Sequence, residues 1–534
     1  MGNANRHQTG NESRSPAAQA PGTIPGLGTD LPGLRRARAL WQANRFDESL
    51  QLFEEVARTH PQNLVALVDG SRALGARFEI ARAEVLLDRL LHVGRKRPEI
   101  LHLAAQCYRM MFRPERAEEC FQRVLSMTRN IPDAFLELAV LLERRHRVGD
   151  ALELIEDCLR TAPDYSEAIL FKARLLRRLQ RDSDATSLLR ALTDDPEVHP
   201  LVAAQAWAEI AQGLDRAGEY RAAMAAMLRC KSILLPRAEP VRKESEFVLH
   251  HLGHLAQSLE RTHFERWTEQ ARSFDPARTA VLTGFPRTGT TLLEQVLDSH
   301  SGLVSSDERE AFARDIFPAM WLGPSTPAPT VDALDAVPPD KLQALRRRYL
   351  GYMEAALNEP IGPRVHLDKN PPMTLVLPGF LRLFPETRVL IALRDPRDVV
   401  ISCFLQYLPL NPNSVCFLTL EDTARRFAHD LGVWQRLRER IASPWLEVRY
   451  EDTVQHLERE ARRALEFLGL PWESQVLEYR ERLGTKRVGS PTYQDVRQPL
   501  YTRAMGRWRN YEEFLAPHLP ILEPVLRAFD YRNR

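Results

Sequence analysis

Two patterns of apolar and polar positions divide the chain. In the first half, small residues recur in pairs twelve positions apart: Ala37/Ser49, Ser71/Ala83, Ala105/Ala117, Ala139/Ala151, Ala173/Ala185 and Ala211/Ala223. The first members of successive pairs are spaced 34, 34, 34, 34 and 38 residues apart. Large apolar residues keep step with them. Three after the first small residue stand Leu40, Leu74, Tyr108, Leu142, Leu176 and Leu214; four after the second stand Phe53, Leu87, Phe121, Ile155, Leu189 and Met227. Small residues on two antiparallel helices let them approach closely, and the large ones fill the space towards the next pair. No unit can bury its own apolar face, so the units must stack. The pattern predicts about six helix pairs over residues 31–237, an all-α solenoid, followed by a helical connector over 238–277.

From residue 278 the pattern changes to short apolar runs alternating with amphipathic stretches. Thr279 to Thr283 (TAVLT), Arg388 to Leu393 (RVLIAL) and Leu446 to Tyr450 (LEVRY) read as strands with helical segments between them. This alternation predicts an α/β domain with a mostly parallel sheet over 278–534. The first 30 residues are polar and rich in Gly and Pro, and are expected to be a disordered tail.

Charge narrows the function. Basic residues number 73 and acidic ones 71, a balance that argues against a nucleic-acid binder or a membrane-coating protein. No apolar run is long enough to span a membrane or to act as a secretory signal. The six cysteines show no CxxC pair and no metal-ligand spacing, so a cytoplasmic protein without a metal is expected. Only seven of the 73 basic residues are lysine, which makes each lysine worth inspecting.

The candidate chemistry lies where strands end. The first strand runs into GFPRTGTT, Gly284 to Thr291, and then an amphipathic helix, Leu292 to His300. A strand, a Gly-containing loop and a helix N-terminus form an anion site. The spacing is that of a P-loop, but Thr290 stands where a nucleotide-hydrolysing loop needs lysine, and the cation is Arg287. Phosphate binding by Arg287, Thr290 and Thr291 is expected. The second strand ends at Arg394, with Ser402 two helical turns on, a candidate second phosphate site; Arg397 and Asp398 read as helix N-terminal charges. Lys369 follows a short apolar strand, 365–368, and precedes Pro371-Pro372. Asp307 and Glu308 follow the loop helix by a short turn and strand, which returns a carboxylate to the loop. His300 and His366 read as structural.

The 34-residue repeat resembles the tetratricopeptide repeat. The segments GFPRTGTTLLEQVLDSH and LIALRDPRDVVISCF, with Lys369 between them, resemble those of sulfotransferases that use PAPS (3′-phosphoadenosine 5′-phosphosulfate), closest to the protein-tyrosine sulfotransferase branch. The resemblance covers about residues 278–515 and implies a P-loop-like sulfotransferase fold. It implies that Arg287, Thr288, Gly289, Thr290 and Thr291 hold the 5′-phosphosulfate. Arg394 and Ser402 would hold the 3′-phosphate, and Tyr450 and Arg507 would be later cofactor contacts, with 495–499 in the same family segment. It places the base at Glu308 and the leaving-group cation at Lys369, helped by Arg287. Glu310 and Thr492-Tyr493 differ from the tyrosine-sulfating branch. The function implied is sulfuryl transfer from PAPS to an acceptor hydroxyl, protein tyrosine among the candidates, with the repeats recruiting a protein or peptide. A P-loop kinase and a non-catalytic repeat scaffold are the alternatives.

Overall fold

A computed structural model describes residues 29–322, 328–482 and 502–532. The expected tail, Thr492-Tyr493 and 495–499 lie almost wholly outside the described residues. Six helix–turn–helix pairs run from Pro32 to Leu234 among the described residues, and two further helices, Glu239–Ser258 and Arg261–Ala271, follow. All twelve small residues of the repeat pattern are at most 2% exposed. The close approach they permit is direct in the first pair, where the Ser49 hydroxyl donates to the Ala37 carbonyl at 2.8 Å. Of the large residues, Leu40 and Leu214 are only half-buried.

The turn inside each pair has its own rule. Asn44, Phe78, Phe112, His146 and Gln180 all have φ between 58° and 62°, and Gly218 has φ 81°. They fall at one position of the repeat. In every pair the next residue donates its N–H back to the carbonyl of Leu40, Leu74, Tyr108, Leu142, Leu176 or Leu214, at 2.9–3.0 Å. This is the left-handed helix stop of the Schellman type. Glycine is the usual occupant, and each non-glycine residue there costs about 1 kcal/mol.

The chain forms two compact units. One holds Met1–Leu141, Glu153–Tyr165 and Leu408–Asn411; the other holds Leu142–Leu152, Ser166–Tyr407 and Pro412–Arg534. The second unit contains a five-stranded sheet: β1 Thr279–Thr283, β2 Leu303–Asp307, β3 Val365–Lys369, β4 Arg388–Leu393 and β5 Trp445–Arg449. The order is β2-β3-β1-β4-β5, and all four pairings are parallel. From the central β1 the chain goes to the edge strand β2, returns to β3 beside β1, and then crosses to β4 and β5 on the other side. Such sheets bind ligands beyond the carboxyl ends of their strands, where the winding reverses.

Strand alternation sorts the side chains. On one face Ala280, Leu282, Leu367, Leu390 and Ala392 pack against Leu293, Val296 and Leu297 of the helix Thr290–Asp298 and Ala461, Leu465 and Leu468 of Leu457–Leu468. On the other, Tyr349 of the helix Pro339–Leu357 lies 5.9 Å from the His366 ring and donates to Asp368 at 2.6 Å. Val365 and Leu367 share the first face, so Lys369, two residues on, also points to the side of the loop helix.

Candidate active site

Every strand delivers its chemistry at the same edge. β1 runs into the loop Gly284–Gly289, β2 ends on Asp307, β3 on Lys369, and β4 and β5 lead directly into Arg394 and Tyr450. The two glycines of the loop are required by close approach. A Cβ on Gly284 would stand 2.5 Å from the Ala392 carbonyl, and one on Gly289 would stand 2.6 Å from Cδ2 of Tyr450. Gly289 has φ 93° and is the N-cap of the helix Thr290–Asp298. Gly289→Ala should therefore lower stability by about 1–3 kcal/mol, through overpacking against Tyr450 and a strained φ. Thermal unfolding measures it; an unchanged midpoint would remove the close contact from the account.

Arg287 sits inside the loop at φ 71°. Its Nε donates to Ser402 Oγ at 3.0 Å, and its carbonyl accepts from Nη1 of Arg394 at 2.9 Å. Arg394 also donates from Nη2 to the Ala504 carbonyl at 2.6 Å, and its guanidinium lies 4.6 Å from the centre of the Tyr450 ring. Thr288 turns its hydroxyl back to the Phe285 carbonyl at 2.7 Å. Thr290 and Thr291 are buried in the first turn of the helix. The structure thus brings Arg287, Gly289, Arg394, Ser402 and Tyr450 into one contact set.

Arg507 takes different partners. Its Nη2 pairs with Asp215 Oδ2 at 2.8 Å. The backbone around it is tied to the β4 side all the same. The N–H groups of Gly506 and Trp508 donate to Asp398 at 2.7 and 2.8 Å. Asp398 is 2% exposed, so it is a buried backbone clamp and not a surface helix charge. Arg397 is likewise buried: it pairs with Asp395 at 2.6 Å and lies 4.4 Å from the Trp508 ring centre.

Lys369 is fully buried, unlike a typical surface lysine. Its Nζ meets Asp307 Oδ1 at 2.5 Å, Glu308 Oε1 at 2.7 Å and Glu294 Oε2 at 3.4 Å. The register explains the crowding. Asp307 is the β2 partner of Lys369, and the Glu308 N–H donates to the Lys369 carbonyl at 2.8 Å. Burial would lower the lysine pKa, yet Glu294, Asp307 and Glu308 together hold it well above its usual value. Nearby Arg309 is pulled down by burial and held up by the same three carboxylates. Glu308 leaves the strand at φ 50° with a third of its side chain exposed, while Asp307 stays sunk.

Glu294 is not marked by the sequence pattern, and Asp398 is marked only as a helix N-terminal charge. The signal for Glu294 is a charge on an apolar helix; the clamp role of Asp398 carries none, because its partners lie about 110 residues away. The histidines are structural in position. His300 Nε2 is 2.8 Å from the Pro471 carbonyl, and His366 Nε2 is 2.9 Å from Ser306 Oγ, where burial pushes its pKa down to about 3.

The donor set fits a polyanion. Two arginines, buried hydroxyls and a helix N-terminus converge on a glycine cradle, and Arg394 Nε is buried with no hydrogen-bond partner among the described residues. Those residues also hold no group of three or more His, Cys, Asp or Glu able to bind a metal.

Comparison with known proteins finds family matches in both halves of the chain. Residues 280–474 match the model of the sulfotransferase family, and residues 40–107 and 98–131 match tetratricopeptide-repeat models. The chain joins tetratricopeptide repeats to a sulfotransferase domain. An uncharacterized protein of Aquifex aeolicus is 26% identical over 266 residues, which is 49% of this chain and 34% of that one. The protein-tyrosine sulfotransferase of Drosophila melanogaster is 24% identical over 246 residues, 42% of this chain and 46% of that one. The chain therefore spans between a third and a half of the length of these two relatives. Among solved structures, the sulfotransferase domain of the Synechococcus PCC 7002 olefin synthase is 20% identical with a TM-score of 0.33, covering 48% of this chain and 97% of that one. No helix among the described residues is long and apolar enough to cross a membrane.

Proposed function

We propose that the sulfotransferase domain transfers the sulfuryl group of PAPS to an acceptor hydroxyl. The observation that carries this reading is the pairing of Lys369 with Glu308 at the sheet edge that also bears the Arg287, Arg394 and Ser402 cluster. When bound, PAPS supplies the sulfuryl group and a phosphate leaving group. Arg287, Thr288, Gly289, Thr290 and Thr291 would hold the 5′ end, Arg394 and Ser402 the 3′-phosphate, and Tyr450 and Arg507 would be further cofactor contacts. Glu308 Oε1 is committed to Lys369, so Oε2 is assigned to take the acceptor proton. Lys369, kept protonated by its three carboxylates, would supply positive charge for the leaving oxygen, helped by Arg287.

Protein tyrosine is the acceptor class we favour, since several relatives carry that name. The repeats, over 31–237 with the connector over 238–277, would recruit that protein or peptide, as stacked repeats offer an extended binding surface. A cytoplasmic site of action fits the six buried, unpaired cysteines.

Calorimetric titration tests the donor. Adenosine 3′,5′-bisphosphate should bind at least about tenfold tighter than ATP, because Arg394 and Ser402 serve a 3′-phosphate that ATP lacks. Tighter binding of ATP would sink the reading.

A further inference from the structure

The sequence treats the repeats as a recruiting module separable from the catalytic domain. The contacts of the last repeat are of another kind. Its helices, Pro200–Arg216 and Tyr220–Leu234, like those of the pair before it, belong to the same compact unit as the sheet. We propose that this last repeat is part of the donor site, and that Asp215 is a positioning residue for Arg507. The proposal deepens the PAPS reading and rests on it.

One carboxylate makes two contacts. Asp215 Oδ2 pairs with Arg507 Nη2 at 2.8 Å, and Oδ1 accepts from the Tyr511 hydroxyl at 2.6 Å. Asp215 therefore grips the segment 507–511 at both ends of its 3-10 turn. Its neighbours reinforce the grip. The Tyr220 ring meets Tyr511 edge-on at 5.5 Å, and Arg221 pairs with Glu513 at 2.7 Å. The backbone around Arg507 is fastened to the carboxyl end of β4 and the helix after it: Ala504 accepts from Arg394, and Gly506 and Trp508 donate to Asp398. Contacts thus run from the last repeat through the segment 504–511 to Arg394, and from Arg394 to the Arg287 carbonyl.

A second, separate tie reaches the helix that carries Ser402. Lys231 of the last repeat is 3% exposed and donates to the Gln406 carbonyl at 2.6 Å, with its ammonium 5.3 Å from the Phe404 ring centre. Gln406 lies just beyond the end of the helix Pro396–Phe404. Two of the assigned cofactor contacts, Arg507 directly and Ser402 through its helix, are therefore braced by one pair of repeat helices.

Charge and orientation predict opposite effects for removing Asp215. Deleting a negative charge beside Arg507 would by itself favour a polyanion. Losing the anchor would let the long arginine side chain and its turn wander, which raises the ordering cost of binding. The two contacts of Asp215 and the buried tie at Lys231 favour the second effect.

The test uses the full chain and calorimetric titration with adenosine 3′,5′-bisphosphate. Asp215→Asn should weaken binding about tenfold, as for loss of a charged hydrogen bond. Asp215→Glu, which keeps the charge, should retain more of the affinity. Arg507→Ala should weaken binding at least as much as Asp215→Asn, and the double variant should bind no worse than Arg507→Ala alone. Equal or tighter binding by Asp215→Asn overturns the proposal. So does an additive loss in the double variant, or an equal loss in Asp215→Asn and Asp215→Glu. Failure of the unaltered protein to bind the nucleotide would instead sink the PAPS reading, and the proposal with it.

Discussion

Lys369→Met should lower the rate of sulfuryl transfer to a tyrosine peptide about a hundred- to a thousandfold, the usual cost of removing one positioned donor to developing charge. Affinity for adenosine 3′,5′-bisphosphate should change far less, because the assigned phosphate contacts lie on the loop, on Arg394 and on Ser402. The protein should also lose stability. Lys369 is the direct ion-pair partner of Glu294, Asp307 and Glu308, at 2.5–3.4 Å. Removing a buried partner of this kind costs about 3–5 kcal/mol. Single-turnover transfer, calorimetry and thermal unfolding separate the three effects. Full transfer activity in Lys369→Met would remove the lysine from the chemistry whatever happened to stability.

Glu308→Gln should slow transfer about 10²–10⁴-fold, the range for loss of a positioned general base. The amide keeps the shape of the carboxylate and can still accept from Lys369, so folding and nucleotide affinity should be nearly unchanged. Asp307→Asn is the control. Asp307 is 7% exposed and held against Lys369, whereas Glu308 turns out of β2 and is half-buried. An acceptor can reach the second and not the first. If Asp307→Asn lost more transfer rate than Glu308→Gln at equal nucleotide affinity, the base would be Asp307.

Much of the architecture was legible because it is periodic or local. The spacing of small residues, 34 and once 38, falls on the six helix pairs of the described residues, since close packing of helices leaves room only for small side chains at the crossing. The repeat of left-handed turns was not legible. Asn44, Phe78, Phe112, His146 and Gln180 share a conformation but no chemistry, and only Gly218 is the residue type that conformation favours. The loop after β1 was legible too, because its glycines and Arg287 are contiguous. The last strand begins at Trp445, one residue before the apolar pattern 446–450, and the loop helix begins at Thr290, two residues before the amphipathic stretch.

The site separates along the same line. The sequence alone determined which residues stand at strand ends: Arg287 in its loop, Glu308, Lys369 and Arg394. Strand periodicity and turn chemistry act over a few residues and can be read there. Only the tertiary structure decided what those residues touch. Parallel register put Asp307 and Glu308 on Lys369, and strand alternation turned that lysine towards Glu294. Long-range packing buried Asp398 as a clamp and set Asp215, from the repeats, on Arg507. Electrostatic partners are chosen by distance in space, and a parallel sheet with long crossovers brings together residues that the chain keeps far apart.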